Sequence, residues 1–207
     1  MSLAGEFAQG VAAIGVDLAA ETQGRLLDYL ALLQKWNKVY NLTAVREPRK
    51  MVSHHLLDCL AVLPHVGAST ILDVGSGAGL PGVPLALALP QARVTLLEGS
   101  HKKAAFLKQV VIELGLRNAT VICQRVEAWR PRQSFELVIS RAFSDLAEYL
   151  LLAGRLCAKG GVIAAMKGVY PDEELGQLPR EFKLQRVVPL KIPGLRAERH
   201  LVLIQPA

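Results

Sequence analysis

Residues 71–82 read Ile-Leu-Asp-Val-Gly-Ser-Gly-Ala-Gly-Leu-Pro-Gly, an apolar strand-like run that passes directly into a loop rich in glycine. Glycine lacks a Cβ atom, so such a loop can turn sharply and let its backbone approach a ligand closely. In open parallel sheets, ligands bind just beyond the carboxyl ends of the strands, which is where this loop must lie. The segment therefore predicts a cofactor-binding turn, although a tight strand-to-helix turn without a ligand would use the same glycines.

The chain around this segment alternates between short β-branched runs and longer amphipathic runs. The short runs predict successive strands at Thr70–Val74, Arg93–Leu97, Thr120–Cys123, Phe135–Ile139 and Gly161–Ala165. Strands that alternate with helices indicate a parallel sheet with right-handed crossovers. After Pro179 the alternation stops, and Phe182–Val188 and His200–Ile204 predict two strands with no helix between them. We expect an α/β, doubly wound, Rossmann-like sheet with this antiparallel pair at one edge.

The first third of the chain has a helical pattern. Apolar residues recur along one stripe at Leu26, Tyr29, Leu33, Trp36 and Tyr40. This spacing predicts an amphipathic helix that ends near Asn41. A second, shorter helix is predicted over Met51–Leu63, where Pro64 stops it. We therefore expect a small helical N-terminal cap over residues 1–66, followed by the Rossmann-like domain over residues 67–207, in one globular unit.

Composition limits the classes of function. The 207 residues carry a formal net charge of +6, which favours a polyanionic partner such as nucleic acid. No apolar run reaches the roughly 18 residues needed to span a bilayer, and we see no secretion signal. Cys59, Cys123 and Cys157 are odd in number and flanked by apolar residues, which indicates free thiols and no zinc site. We expect a monomeric, cytoplasmic protein without a metal or a membrane partner.

Two cofactors compete for the glycine loop, because residues 77–82 also match the dinucleotide fingerprint G-x-G-x-x-G. A dinucleotide needs free backbone N–H groups at the helix start to hold its pyrophosphate, and Pro81 and Pro84 remove two of them. S-adenosylmethionine carries no phosphate, so the prolines cost it nothing. The Asp73 carboxylate suits its cationic groups, unless Asp73 only caps the following turn. Glu98, at the end of the second strand, is placed to accept both ribose hydroxyls of either cofactor.

Further motifs complete a pattern that spans nearly the whole chain. They are WNKVYNLT at residues 36–43, HLLD at 55–58, RVE at 125–127 and SRAF at 140–143. Together with the glycine loop, they resemble the small-subunit ribosomal RNA guanine-N7 methyltransferases, historically called glucose-inhibited division protein B. The resemblance implies a class I S-adenosylmethionine methyltransferase that methylates guanine N7 in 16S ribosomal RNA of the small ribosomal subunit. It also implies that the cofactor is lined by Gly75, Leu80, Val126, Glu127 and Arg141, in addition to Asp73, Gly77 and Glu98.

The residues near the predicted site agree with chemistry at guanine N7. Enzymes that methylate exocyclic amines usually carry an Asn/Asp-Pro-Pro-aromatic motif after the fourth strand, where this chain has Ser-Arg-Ala-Phe at 140–143. Enzymes that methylate pyrimidine C5 need a nucleophilic cysteine near the same edge, whereas Cys157 is predicted to lie inside a helix. Guanine N7 has an in-plane lone pair and no proton. Its methylation therefore needs positioning and electrostatics but no general base.

Basic residues are predicted at or beside the carboxyl ends of the strands, at Lys102, Arg141, Lys167 and Arg199. We expect Arg141 to link cofactor and substrate, and the other three to hold RNA phosphates or the guanine carbonyl edge. Phe143 either stacks on a base or belongs to the core. His54 and His55 are predicted to be structural, capping carbonyls or bonding a neighbour such as Asp58.

Two other functions use the same features. A nucleotide-dependent oxidoreductase would share the sheet and the glycine loop, and a non-catalytic RNA-binding assembly factor would retain the loop without its chemistry. Ligand binding separates the three, since S-adenosylmethionine or its demethylated product should raise the melting temperature of the methyltransferase alone.

Overall fold

The computed structural model describes residues 2–207, and the first part of the fold is a layer of helices. This layer contains α1 (Leu3–Ala13), α2 (Ala20–Tyr40), α3 (Pro48–Met51), a π-helix (Val52–Leu57), α4 (Asp58–Leu60) and a 3-10 helix (Leu63–His65). α2 ends as predicted, because Asn41 adopts a left-handed backbone with φ of 49°. Asparagine tolerates this conformation better than most residues, so it terminates a helix as glycine does.

The second predicted helix, Met51–Leu63, is wrong in its start and in its geometry. The helical segment begins at Pro48, which has the fixed φ that suits a first helical position. It then changes from α to π over Val52–Leu57 and returns to α at Asp58. Sequence periodicity does not distinguish α from π turns. Single π-helical turns occur frequently at functional sites, and this one leads directly to Asp58.

The remaining chain forms a seven-stranded sheet. Its strands are β1 (Thr70–Val74), β2 (Arg93–Leu97), β3 (Ala119–Ile122), β4 (Phe135–Ser140), β5 (Cys157–Lys167), β6 (Phe182–Pro189) and β7 (His200–Pro206). The order across the sheet is β3-β2-β1-β4-β5-β7-β6. Neighbouring strands from β3 to β5 run parallel, and β7 pairs antiparallel with both β5 and β6. The predicted α/β sheet with an antiparallel edge pair is confirmed.

Helices follow β1, β2, β4 and β5, whereas a segment of turns without a helix joins β3 to β4. The helices are α5 (Gly82–Ala88), α6 (His101–Glu113), α7 (Leu146–Ala153), a 3-10 helix (Gly154–Leu156) and α8 (Asp172–Leu175). From β1 the chain builds outward to β2 and β3, then returns to place β4 on the other side of β1. The strand order therefore reverses between β1 and β4. In doubly wound sheets, a crevice opens at this point beyond the carboxyl ends of the strands.

β5 starts earlier than predicted, so the placement of Cys157 inside a helix is wrong. Cys157 pairs with Phe135, and the register shifts before Leu137 pairs with Val162. Gly160 has φ of 78°, so the strand is irregular just before Gly161, the residue at which it was predicted to start. Burial raises the pKa of the Cys157 thiol to about 11. The thiol is therefore protonated near neutral pH and is a poor nucleophile.

The helical layer and the sheet share one hydrophobic core. Tyr29 and Leu33 of α2 are fully buried in the same cluster as Val83 of α5 and Phe106 of α6. The Tyr29 hydroxyl also donates a hydrogen bond to the carbonyl of Ala78 at 2.6 Å. α2 is thus fixed to the glycine loop by packing and by a buried hydrogen bond. The division of the chain at residue 66 stays a prediction.

Candidate active site

The glycine loop that follows β1 folds back against the end of β2. Gly75 and Ser76 both donate backbone N–H groups to the carbonyl of Leu97, at 2.9 and 3.1 Å. Gly75 and Gly77 have φ of 70° and 58°, values that favour glycine. A Cβ atom at Gly75 would also lie 3.0 Å from the Cβ of Ala142. The loop therefore depends on glycine for its conformation and for its close approach to the segment after β4.

Glu98 holds the glycine loop with both carboxylate oxygens. Oε2 accepts the N–H of Gly77 and Oε1 accepts the N–H of Ser100, each at 2.8 Å. The side chain is almost completely buried, but it still lines the cleft. Each carboxylate oxygen has a further lone pair, so Glu98 can accept hydroxyl groups of a ligand while it holds the loop.

Asp73 lies behind the loop and does not line the cleft. Its Oδ2 accepts the N–H of Gly82 at 2.9 Å, which is the capping role considered as the alternative from sequence. Its Oδ1 is buried without a hydrogen-bond partner in the described residues. Burial raises the pKa of this carboxyl to about 7, although the bonds from Gly82 and Ser76 act against that shift. Asp73 therefore shapes the loop, and its direct contact with a cofactor stays a prediction.

A cleft of about 380 Å³ opens between the glycine loop and α7. Its lining includes Val74, Gly75, Leu97, Glu98, Gly99, Ser100, Gln124, Arg125, Val126, Glu127, Phe143, Glu148 and Leu152. Gly75, Glu98, Val126 and Glu127 are thus brought together as the sequence predicts. Leu80 is instead packed in the core and does not line the cleft. Contact between Leu80 and the cofactor therefore stays a prediction.

Glu148 and Leu152 line the same cleft and were missed from the sequence. They are one helical turn apart on α7, so they share a face of that helix. Glu148 is exposed and Leu152 is partly buried, unlike the fully buried Tyr149 and Leu150 between them. A polar and an apolar residue four positions apart on one helix face could therefore have indicated from sequence that this face borders a cleft.

Two of the predicted basic residues, Arg141 and Arg199, meet at a buried carboxylate. Arg141 Nη1 donates to Asp58 Oδ2, and Arg199 Nε donates to Asp58 Oδ1, each at 3.1 Å. Arg141 Nη1 also donates to the carbonyl of His54 at 3.0 Å. Burial opposes the charge of the Arg141 guanidinium, whereas Cys59 and Asp58 favour it. The pKa of Arg141 lies above its ordinary value as a net result.

Lys167 is engaged inside the protein. Its Nζ forms an ion pair with Glu174 Oε2 at 2.7 Å and donates to the carbonyl of Ser144. The side chain is only 10% exposed. The ammonium thus ties β5 to α8 and to the loop after β4, and contact of Lys167 with RNA phosphates or the guanine carbonyl edge stays a prediction.

Lys102 lies on the other side of the site, at the start of α6. Its Nζ is 5.0 Å from the centre of the Tyr40 ring, and the side chain is exposed. Tyr40 in turn stacks on Trp36 with ring centres 5.0 Å apart. Lys102 and Tyr40 thus form an exposed pair of a cation and an aromatic ring that rests on the partly buried Trp36, which suits contact with a phosphate or a base.

The two histidines are structural, but not through Asp58. His55 Nε2 is 2.9 Å from Thr43 Oγ1, and His54 Nδ1 is 2.9 Å from Ser53 Oγ. Burial lowers the pKa of His55 to about 4, so the ring is neutral near pH 7. The predicted bond to Asp58 is wrong, because both oxygens of Asp58 accept from arginines.

Phe143 was predicted either to stack on a base or to belong to the core, and its position is compatible with both. It stacks on the buried ring of Tyr149 with centres 5.0 Å apart, and it also lines the cleft. One face of the ring therefore packs on the protein, while the side chain borders the space that a ligand would enter.

Two classes of feature are not found between residues 2 and 207. No group of three or more His, Cys, Asp and Glu side chains is arranged to hold a metal ion in this range. None of its helices combines the length and the apolar character of a membrane span.

Solved structures of low sequence identity share this fold. A SAM-dependent methyltransferase from Aquifex aeolicus aligns with a TM-score of 0.62 over 83% of this chain and 97% of that chain, at 18% identity. The glycopeptide N-methyltransferase MtfA, solved with S-adenosyl-L-homocysteine, aligns with a TM-score of 0.64 over 74% of this chain and 87% of that chain, at 13% identity. The seven-stranded sheet with its glycine loop is therefore a class I methyltransferase fold.

Sequence comparison identifies the family within this class. The family described as rRNA small subunit methyltransferase G, GidB, matches residues 22–202. Ribosomal RNA small subunit methyltransferase G of Nitrosospira multiformis is 58% identical over 214 residues, covering 100% of this chain and 99% of that protein. The protein of the same name from Laribacter hongkongensis is 55% identical over 202 residues, covering 98% of each. The chain belongs to this family, which confirms the resemblance inferred from its motifs.

Proposed function

We propose that this protein transfers a methyl group from S-adenosylmethionine to N7 of a guanine in 16S ribosomal RNA. One observation carries the proposal: in a member of this family, a cofactor-sized cleft beside Glu98 opens at the carboxyl ends of the parallel strands, the edge of the sheet at which Arg141 follows β4 and Arg199 precedes β7. The first feature suits an adenosine ligand and the second suits RNA.

The cleft fits S-adenosylmethionine in size and in chemistry. Its volume of about 380 Å³ lies within the usual range for small-molecule sites. Glu98 has lone pairs for ribose hydroxyls, and Leu97 and Val126 offer apolar contact for an adenine ring. When bound, S-adenosylmethionine supplies an electrophilic methyl group carried on sulfur. The negative charges of Glu98, Glu127 and Glu148 around the cleft favour a ligand with cationic groups.

A dinucleotide fits the same loop poorly. The N–H of Gly82 is bonded to Asp73, and the N–H of Val83 is bonded to the carbonyl of Gly79 at 2.7 Å. Pro81 and Pro84 have no N–H. The helix start therefore has no free donor among these residues for a pyrophosphate, and this disfavours the oxidoreductase.

The chain's residues supply positioning and not proton transfer. A guanidinium group has N–H donors and no acceptor, so Arg141 and Arg199 donate hydrogen bonds and do not act as bases. Guanine N7 carries a lone pair and no proton, so no base is required. Donors at the guanine must engage O6 or phosphates, because a bond to N7 itself would occupy the lone pair that reacts. Lys102 and Tyr40 extend this surface toward flanking RNA.

We also propose the setting in which this reaction occurs. The net charge of +6 favours RNA over a neutral partner. Relatives named ribosomal RNA small subunit methyltransferase G point to 16S ribosomal RNA within the small ribosomal subunit as the partner. A monomer in the cytoplasm, where that RNA is found, remains our expectation.

Two measurements on the purified protein test the proposal. S-adenosylmethionine or S-adenosylhomocysteine at 100 times its Kd should raise Tm by about 5–10 °C, while NAD should leave Tm unchanged. Labelled methyl should pass from S-adenosylmethionine to 16S ribosomal RNA or small subunits from a strain that lacks this protein, and nuclease digestion should release 7-methylguanosine. Stabilisation by NAD would favour the oxidoreductase. RNA binding without methyl transfer would favour the assembly factor.

A further inference from the structure

Asp58 joins two arginines that come from distant parts of the chain. Arg141 follows β4, Arg199 precedes β7, and Asp58 lies at the end of the π-helix in the helical layer. The Asp58 side chain is 1% exposed, whereas those of Arg141 and Arg199 are 26% and 24% exposed. The carboxylate is therefore buried behind the two guanidinium groups, whose outer parts reach the surface.

One carboxylate between two guanidinium groups leaves a net positive charge at the surface. Without Asp58, the two cations would repel each other and lose the acceptor that fixes their direction. Arg199 makes its other hydrogen bond to the carbonyl of Glu198, one residue away, which gives its guanidinium little support from the rest of the fold. The direction of the Arg199 guanidinium thus depends on Asp58, and that of the Arg141 guanidinium depends on Asp58 together with the carbonyl of His54.

The negative charge of Asp58 also bears on the reaction, because methyl transfer makes the guanine positively charged. The N7 lone pair forms the new bond to the methyl carbon, and the electron pair of the broken carbon–sulfur bond stays on sulfur. The positive charge that sulfur loses passes to the guanine ring. Two uncompensated guanidinium groups beside that ring would oppose the developing cation, and a carboxylate shared between them reduces this cost.

We propose that Asp58 is a positioning residue that directs the Arg141 and Arg199 guanidinium groups at the guanine and offsets their charge as the base becomes cationic. This inference rests on the proposed function. Asp58 touches neither substrate nor cofactor and acts through the two arginines. The helical layer accordingly has a role in the reaction, because it supplies the carboxylate that organises two residues of the sheet domain.

The proposal predicts that Asp58→Asn slows methylation without weakening RNA binding. Asparagine has a similar shape and keeps an acceptor, but it removes a negative charge near RNA phosphates. The single-turnover rate at saturating RNA should fall roughly 10- to 100-fold, as for a misplaced reacting group. The Kd for RNA should stay the same or become lower. Asp17→Asn is the matched control, because Asp17 is exposed and its replacement changes the net charge equally.

A purely structural role for Asp58 predicts a different result. If Asp58→Asn disturbs local folding, it should weaken the binding of both RNA and S-adenosylhomocysteine. Both affinities are measured well below the Tm of each variant, and a joint loss of affinity would overturn the proposal. A normal single-turnover rate in Asp58→Asn would overturn it as well. If the wild-type protein itself fails to methylate 16S ribosomal RNA, the proposed function fails whatever Asp58 does.

A double-mutant cycle with Arg199→Gln tests whether Asp58 acts through the arginines. The combined rate loss in Asp58→Asn/Arg199→Gln should fall well short of the product of the two single losses, and a full product would contradict the proposal. The double variant also leaves a single guanidinium at the site. Should Asp58→Asn alone not fold, the double variant is compared with Arg199→Gln. A further rate loss smaller than about 10-fold is then expected, because Asp58 acts through Arg141 alone, and an unchanged rate or a larger loss would contradict the proposal.

Discussion

Replacing Glu98 with glutamine removes the negative charge from a carboxylate that both lines the cleft and holds the glycine loop. Its two oxygens accept from the N–H groups of Gly77 and Ser100 at 2.8 Å, and their remaining lone pairs are available to ribose hydroxyls. Glutamine keeps the shape of the side chain, but it turns one oxygen into an NH2 group that faces a backbone donor. The affinity for S-adenosylmethionine and the stability of the fold should therefore both decrease.

The structure sets the size of these two effects. Loss of a hydrogen bond to a charged group costs about 1.5–3 kcal/mol, which corresponds to a roughly 10- to 150-fold higher Kd for S-adenosylmethionine. The amide that faces a backbone N–H leaves one buried donor without an acceptor, at about 1–3 kcal/mol, so Tm should fall by about 2–12 °C. RNA affinity should hardly change, because the basic surface is intact.

Isothermal calorimetry with S-adenosylmethionine and with 16S ribosomal RNA fragments measures both affinities on one preparation. Glu21→Gln is the control, since Glu21 is exposed on α2 and its replacement changes the net charge by the same amount. Cofactor affinity in Glu98→Gln equal to that of the control would refute the assignment of Glu98 as the ribose acceptor. An equal loss of RNA affinity would mean that the variant had misfolded.

Three further predictions follow from the same site. Arg141→Ala should lower the single-turnover rate at saturating RNA by a larger factor than it lowers the fraction of folded protein. Arg141→Lys should not restore the rate, because an ammonium lacks the planar fork of a guanidinium. A near-normal rate in the Lys variant would argue against the assignment of Arg141 to the site. RNA affinity should fall steeply with salt, with a slope of about −0.7 per phosphate contact in log–log form for single strands, and a flat response in filter binding would remove the basic surface as an RNA contact. Burial raises the pKa of Asp73 from 3.8 to about 7, so its contribution to stability is complete below the lower value and is lost as pH rises through the higher one. Asp73→Asn should therefore gain stability relative to wild type between about pH 4 and pH 7 in urea unfolding, and a constant difference over this range would contradict the buried, unpaired carboxyl.

The sheet could be predicted from sequence because its signals are local. Each parallel strand is a short β-branched run, and the segment at residues 71–82 combines such a run with the glycines that its turn requires. The antiparallel edge pair was likewise visible as two strands without an intervening helix. The start predicted for the fifth strand, at Gly161, was four residues late, because β5 begins at Cys157 and continues through Gly160. Glycine marks irregular backbone, and the sequence does not say whether a strand begins or bends there.

The candidate site could be predicted only where residues lie next to the loop or at strand ends. Gly75, Glu98 and Val126 belong to segments that the parallel topology must bring together. The partners of Asp58 are 83 and 141 positions away, and nothing in the local sequence pairs them. The engagement of Lys167 by Glu174 is equally invisible to sequence, since charge and position alone predict an exposed ammonium at that strand end. Side-chain pairing across the fold decides which basic residues remain for RNA.

The structure also narrows the choice of cofactor beyond what sequence allowed. The two prolines in the first turn already argued against a pyrophosphate. The hydrogen bonds of Gly82 and Val83 show that the remaining donors of that turn are used within the protein. An anion would have to break one of these bonds, whereas a ligand without phosphate would not.

The central claim is methylation of one guanine N7 in 16S ribosomal RNA, and nucleoside mapping of that RNA tests it most directly. The RNA would be isolated from cells with the protein, from cells without it, and from cells complemented with Glu98→Gln. Mass spectrometry of nuclease fragments should find a single 7-methylguanosine that is lost without the protein, is restored by wild type and is reduced in the variant. An unchanged set of 7-methylguanosines in cells without the protein would contradict the account.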